Sequence, residues 1–282
     1  MLERRDSAGA QRGYHFRETV SKMGSMNYEQ IDCATAESAL IVTFNWPDKL
    51  NAFTFKMLEE ANHALRTRVG AGIRAILFRG AGRAFSAGDD LAGMGGTRHP
   101  LDEMRAGHHA LIKRIRTLRI PVVAAVHGYA FGAAFDLILA CDFRVAAASA
   151  QLGDIRINRA INSMSGAAFW LPRYVGVGRA SEILMLGEQI SAAQALEWGL
   201  VTRVYADEKF DAAVTQFVSR LAEMPTAVIG ANKALMNFGL EHWLGDSLDT
   251  EARELLETFH TEDNREGVRA FLEKRAPRFT GR

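Results

Sequence analysis

Two glycine-bearing turns carry the residue types best suited to chemistry in this chain. The first, GAGRAFSAGDDL (80–91), directly follows a short apolar run, and the second, HGYAFGAAFD (127–136), leads into a segment of helical pattern. Turns of this kind present backbone N–H groups at a strand end, and the first N–H groups of a helix have no partner inside it. The helix dipole makes the same point mildly positive. Two such amides converging on one oxygen would form an oxyanion hole, where one donor is typically worth about 3–4 kcal/mol of barrier. The alternative is that the glycines serve tight turns and nothing more.

The elements that must hold these turns alternate between strand and helix from about residue 28. Residues 39–46 (ALIVTFNW) are β-branched and aromatic and predict a strand. Phe53, Met57, Ala61 and Leu65 are spaced for a helix over 51–69. A buried strand is expected at 73–78, and Gly80, Gly82 and Gly88 punctuate the loop beyond it. Met104, His108, Leu111, Ile112 and Ile115 share one face of a helix predicted over 102–118, so His108 reads as a packed core histidine. Strands at 121–126 and 143–147 flank a helix at about 132–140. After Met164 the pattern is nearly all helix, with one short strand near 200–204 and four helices at 210–221, 227–238, 248–259 and 266–274. Strands alternating with helices suggest an α/β core covered by a helical tail.

Composition narrows the function classes. Lysine and arginine number 34 against 33 aspartate and glutamate, a formal charge of +1, with 48% hydrophobic and 24% charged residues among the 282. That excludes a chain disordered throughout and leaves no basic excess for binding nucleic acid by counterion release. Cys33 and Cys141 are too few for a disulfide framework and read as reduced thiols. No run of about 18 apolar residues suggests a membrane span. Residues 1–26 contain four arginines and no apolar core, which argues against a secretory signal peptide. They bear a faint likeness to a mitochondrial presequence, but a disordered or extended tail, or an over-long gene start before Met23 and Met26, is expected, with a cytoplasmic location.

Five blocks in order carry a resemblance to a known family: NWPDKLNAF (45–53), GAGRAFSAGDDLAGM (80–94), IPVVAAVHGYAFGAAFDLILACDFRVA (120–146), GRASEILMLGEQISAAQALEWGLVTRV (178–204) and TEDNREGVRAFLEKRAPRF (261–279). Together they resemble the crotonase, or enoyl-CoA hydratase/isomerase, superfamily over roughly residues 28–280. The resemblance implies an α/β fold, a spiral of ββα units with a helical C-terminal region. Its divisions would be a tail (1–26), a ββα core with the acyl-CoA site (27–205) and a helical trimerisation region (206–282). It further implies a homotrimer or dimer of trimers acting on an acyl thioester of coenzyme A. No cofactor is expected apart from the coenzyme A of the substrate, and no metal. The family's two oxyanion amides fall on Asp89 and Ala133. The side chain of Asp89, where most relatives have Ala or Gly, is expected to turn to solvent. Coenzyme A would meet backbone groups at Ala87 and Asp89, with Lys49, Ala52 and Leu91 along its path. Phe271 and Lys274, from a neighbouring subunit, would close the adenine and phosphate side; the alternative for Lys49 and Lys274 is solvated surface charge.

The resemblance also marks a departure. One carboxylate of the family's hydratases aligns with Asp136, but Arg156 stands where the second belongs. A guanidinium stays protonated and accepts no hydrogen bond, so it cannot serve as a general base at neutral pH. Asp154 lies two residues before Arg156, on the same face in extended chain, and the two are expected to pair; otherwise Arg156 could grip a carboxylate or carbonyl of the acyl group. The segment 161–166 lacks the family's proline- and glycine-rich turn, so the acyl pocket should differ from a fatty-acid hydratase's. His109 aligns with the base of the family's dehalogenases, but Met164 stands where they carry an aspartate nucleophile. His127, in place of a common Asn, is expected to have a turn-bonding role. The resulting expectation is an acyl-CoA enzyme that stabilises a thioester enolate, a hydratase/isomerase relative with a non-standard acid/base set. The alternatives are a CoA-thioester isomerase using Asp136, a C–C hydrolase using His109 with Asp154, a decarboxylase, or a non-catalytic acyl-CoA binder.

Overall fold

A computed structural model of the chain describes residues 28–70, 72–93 and 100–282; the tail expected at 1–26 lies outside them. An antiparallel pair opens the fold, β1 (Ile31–Ala36) with β2 (Ala39–Phe44), joined by Glu37 and Ser38 at positive φ. Helix α1 (Phe55–Arg68) starts where the Thr54 hydroxyl accepts from the Met57 N–H, and it buries Met57, Leu58, Ala61 and Leu65. Strand β3 (Ala75–Gly80) is buried throughout. A helical stretch follows as α2 (Pro100–Met104), a π-turn at Arg105–His109 and α3 (Ala110–Thr117). Then come β4 (Val122–Val126), β5 (Tyr129–Phe131), α4 (Ala133–Ala140), β6 (Phe143–Ala147) and β7 (Gln151–Gly153). Helix α5 (Ala167–Ser181), β8 (Ile190–Ser191), α6 (Ala192–Glu197) and β9 (Arg203–Tyr205) complete the core. The C-terminal part is helical: α7 (Phe210–Glu223), α8 (Thr226–Gly239), α9 (Leu244–Phe259) and α10 (Glu262–Leu272).

The large sheet runs β1-β2-β3-β4-β6-β9, parallel from β2 onward; the small one runs β5-β7-β8. Each pass of the chain leaves one strand in the large sheet and, from β5 on, a short one in the small sheet, the ββα repeat that the resemblance implies. All eight residues of α4 are buried, and seven of them are apolar; at about 25 cal/mol per Å² of apolar surface, that burial anchors the helix firmly. Asp136 is the exception. The chain's last residues return to the core, where the Arg74 guanidinium donates to Phe279 O and Met224 O and the Asp263 carboxylate accepts from the Thr280 and Gly281 N–H groups.

The pattern over 102–118 needs correction. Gly107, not His108, continues the buried face of Leu111 and Ile115. A side chain at Gly107 would meet Leu58 and Phe55 of α1 at 3.3 and 3.5 Å, so the π-turn packs closely on α1 there. The π-turn, in which the Ala110 N–H reaches back to Arg105 O, carries an extra residue and rotates His108 off the core face.

Candidate active site

The first glycine turn is held from three sides. Asn51, fully buried, donates from its amide to Ala81 O and Ala84 O, each 2.8 Å, and accepts from the Trp46 N–H. Beyond it the chain runs parallel to β5: the Phe85 N–H donates to His127 O, the Ser86 N–H to Tyr129 O, and the Phe131 N–H to Ser86 O. Ser86 and Ala130 thus face each other, and Asp89 and Ala133 each lie three residues further on. On its other side this segment meets Phe53, whose N–H donates to Gly88 O at 2.7 Å and whose carbonyl accepts from the Asp90 N–H at 2.9 Å. Backbone groups alternate along such a bridge, so the Asp89 N–H points away from Phe53.

Ala133 is the first residue of α4, after Gly132 at φ 56°. Gly132 is fixed by its own N–H, which donates to Gly153 O at 3.0 Å. The turns touch at Gly88, where a Cβ would lie 2.6 Å from Phe131 O and 3.5 Å from Ala133 N. With Gly88 at φ 94°, the position favours glycine for its conformation and for this contact. Among the described residues, neither the Asp89 nor the Ala133 N–H meets a protein acceptor.

Two cavities adjoin this junction. One, about 320 Å³, is walled by Phe53, Phe55, Leu58, Met104 and Met164, with Asp89, Asp90, Glu103 and His108 as its titratable groups. The other, about 70 Å³, lies among Ala87, Gly88, Leu91, Gly132 and Arg156. Asp89 and Met164 line both.

The Asp89 carboxylate does not turn to solvent. Its Oδ1 lies 2.8 Å from His108 Nε2, with the two side chains only 9% and 13% exposed. The reason is the rotation at the π-turn, which aims His108 into the larger cavity. Sequence reasoning missed this residue, and the glycine between two α1 contacts was the available signal. It also missed Asn51, whose place in the first of the five blocks gave no hint of its three bonds.

Arg156 is enclosed. Its Nε and Nη2 donate to the two oxygens of Asp154, at 2.7 and 2.6 Å, and Nη1 lies 2.7 Å from Asp136 Oδ2. That last contact is close but not aligned as a hydrogen bond, so charge alone holds it. The expected Asp154–Arg156 pair therefore forms, for a different local reason. The chain is not extended there: Asp154 caps a short 3₁₀-helix, Ile155–Arg159, and accepts from the Arg156 N–H. Burial pushes Asp136 up to about 6, against the pull of Arg156. Burial would lower Arg156, but the hydrogen bonds it donates to Asp154 and the charge of Asp136 outweigh it and raise it. Asp136 also accepts from the Ala167 N–H at the start of α5 and lines neither cavity. All three guanidinium nitrogens of Arg156 already face carboxylates, which leaves no free fork for an acyl carboxylate.

The remaining candidates are dispersed. His109 Nε2 meets Met164 O at 2.8 Å, while both oxygens of Asp154 are taken by Arg156, so these two do not form a working pair. His127 Nε2 bonds Gly82 O at 3.0 Å, so it ties the second glycine turn to the first, and burial pushes it down to about 4. The Ala87 N–H is occupied by Leu50 O, leaving its carbonyl for any ligand. Lys49 is exposed and Ala52 half-buried, and neither lines a cavity described above, whereas Leu91, 45% exposed, lines the smaller one. Phe271 and Lys274, at the end of α10, are exposed and line neither cavity. Cys33 and Cys141 are free thiols, which burial pushes up to about 12, so neither is a nucleophile at neutral pH. Among the described residues no cluster of three or more His, Cys, Asp or Glu could hold a metal.

Residues 34–282 match the family model for enoyl-CoA hydratase/isomerase. The chain belongs to the enoyl-CoA hydratase/isomerase family. It is 36% identical to a protein of Rhodobacter capsulatus named probable enoyl-CoA hydratase, over 91% of this chain and all of that one. It is 34% identical to the 1,2-epoxyphenylacetyl-CoA isomerase of Escherichia coli, over 87% of this chain and 96% of that one. The crystal structure of enoyl-CoA hydratase from Bacillus anthracis superposes with a TM-score of 0.83 at 32% identity, covering 90% of this chain and all of that one. This enoyl-CoA hydratase/isomerase family member is therefore an acyl-CoA enzyme of the crotonase fold. No helix among its described residues is long and apolar enough to cross a membrane.

Proposed function

We propose that the amides of Asp89 and Ala133 hold the carbonyl oxygen of an acyl-CoA thioester and stabilise the enolate formed from it. The observation that carries this reading is the parallel pairing of Ser86 with Ala130, which sets Gly88 against Ala133 N with both following amides unbonded. The acyl group occupies the cavity of about 320 Å³, and coenzyme A leaves past Ala87, Ala52, Leu91 and Lys49. Phe271 and Lys274 of a neighbouring subunit complete the coenzyme A side in a homotrimer or dimer of trimers, built through residues 206–282, in the cytoplasm. The exposure of Phe271, 82%, supports this: a phenyl ring so exposed is poorly accounted for within one chain.

Relatives carry both hydratase and isomerase names. Hydration adds a proton and a hydroxide and needs two groups able to exchange protons. Here the aligned pair is Asp136 and Arg156, closed on each other and on Asp154. The site therefore favours a reaction that moves one proton, such as a double-bond shift, over addition of water. Titration calorimetry with acetoacetyl-CoA should give saturable binding and intensify the ligand's ultraviolet enolate band. No binding up to millimolar ligand would overturn the acyl-CoA reading. Crotonyl-CoA should be hydrated slowly, and turnover typical of an efficient hydratase would overturn the one-proton reading alone.

A further inference from the structure

The acyl cavity needs an acid/base group, and the aligned carboxylate does not reach it. Asp136 is fully buried behind Arg156. His108 does face the cavity, and its Nε2 lies 2.8 Å from a carboxylate oxygen of Asp89, the same residue whose amide is proposed to hold the thioester oxygen. One side chain thus ties the imidazole to the oxyanion site. A carboxylate only accepts hydrogen bonds and repels a lone pair, so its place beside Nε2 favours the tautomer with the proton there and the lone pair on Nδ1. Among the described residues, Nδ1 of His108 has no protein partner.

We infer that His108 is the proton-transferring group of this enzyme, with Asp89 as the residue that positions it. The inference rests on the acyl-CoA reading above. In a 3-enoyl thioester, His108 Nδ1 takes a proton from C2. The C–H electron pair enters the enolate, and the negative charge settles on the thioester oxygen between the amides of Asp89 and Ala133. The Asp89 carboxylate holds the imidazolium that results. Nδ1 then returns the proton to C4: the C2=C3 bond forms as C3=C4 is lost, and no atom is gained or lost overall. The site class is thus a double-bond isomerase acting on a β,γ-unsaturated acyl thioester, a single base in place of the hydratases' two carboxylates. Asp89 does double duty, its N–H at the substrate and its carboxylate on the base.

The test uses the full-length enzyme and 3-hexenoyl-CoA in D₂O, following the conjugated thioester by absorbance and deuterium at C2 and C4 by mass spectrometry. Wild type should isomerise it. His108→Gln should lower kcat by about 10²- to 10⁴-fold, the range of general acid–base catalysis, with KM and acetoacetyl-CoA binding little changed. His108→Ala should regain activity with added imidazole, which a structural histidine would not do. Asp89→Asn keeps the backbone amide, but its side-chain NH₂ can donate to Nε2 and drive the imidazole proton onto Nδ1. It should lower kcat without loss of acetoacetyl-CoA affinity. Retention of kcat within about twofold in His108→Gln would overturn the inference, as would a wild type that binds acetoacetyl-CoA but neither shifts the double bond nor exchanges deuterium. Absence of acetoacetyl-CoA binding by wild type would instead bring down the acyl-CoA site itself.

Discussion

Asp136 shows how a single side chain's surroundings set both its chemistry and its cost. Its ordinary value is 3.8, and in the folded chain burial raises it to about 6. Between those values the native state holds a proton that the unfolded chain has lost, so stability falls as pH rises from about 4 to about 6 and changes no further from this group above that. At 1.36 kcal/mol per unit, the loss is on the order of 3 kcal/mol. Asp136→Asn has no proton to lose there. Urea unfolding of both proteins across pH 4–7 should show wild type losing ground to the variant through that window, and a pH-independent difference would mean that Asp136 does not titrate in it. The Asp154–Arg156 pairing was readable from two opposite charges two residues apart, although its geometry comes from a cap. His108 was not readable, because a π-turn leaves no periodic trace: the residues around it fit a regular helix. The amides of Asp89 and Ala133 carry no side-chain signal of their own, and only the glycines beside them point there.

At the level of elements, the site is the meeting of two turns, and Gly88 is the point of contact. An alanine there would need a φ of 94° and would place its Cβ 2.6 Å from Phe131 O. A left-handed conformation alone costs an L-residue about 1–2 kcal/mol, and the clash must be relieved by moving 84–88 away from β5. The Asp89 amide, one residue on, would be displaced from the arrangement proposed for it with Ala133, while β4 and α4, buried throughout, anchor the core. Gly88→Ala should therefore fold, with an unaltered circular dichroism spectrum, and bind acetoacetyl-CoA about 10- to 100-fold more weakly, the worth of one hydrogen bond to a charged oxygen. Unchanged affinity would show that the two turns do not act together. The longer elements were visible in the sequence: β6 falls on 143–147 as predicted, and α1, α4 and the C-terminal helices lie within a few residues of expectation. Strand β1 was missed because Asp32 and Thr35 interrupt its apolar residues and most of it is only half-buried. The strands of the small sheet have two or three residues each, too few for a period to show.

For the whole molecule, the decisive surface is on the C-terminal helices. No residue of α9 is buried in the single chain, yet Leu244, Leu248, Leu255 and Phe259 are each more than half exposed and recur at steps of four, seven and four, one stripe along the helix. Val268, Phe271 and Leu272 of α10 extend the apolar surface at steps of three and one. A stripe of this length facing water is unfavourable for a lone subunit, and the proposed trimer would cover it while bringing Phe271 and Lys274 to a neighbour's coenzyme A. Assembly and substrate binding are then linked. Leu248→Asp with Leu255→Asp puts two charges into the covered face, and burying an unpaired carboxylate costs several kcal/mol. The double variant should elute as a species near the 31.1 kDa of one chain, whereas wild type should scatter light as a multiple of three. Because the oxyanion turns and His108 belong to one chain, dissociation should raise KM for an acyl-CoA far more than it lowers kcat. The same variant should discriminate little between an acyl-CoA and the matching acyl-pantetheine, which lacks the adenine and phosphate that the neighbour is proposed to hold. A dissociated variant that keeps wild-type KM would separate the two roles, leaving the C-terminal helices as assembly elements with no part in the site.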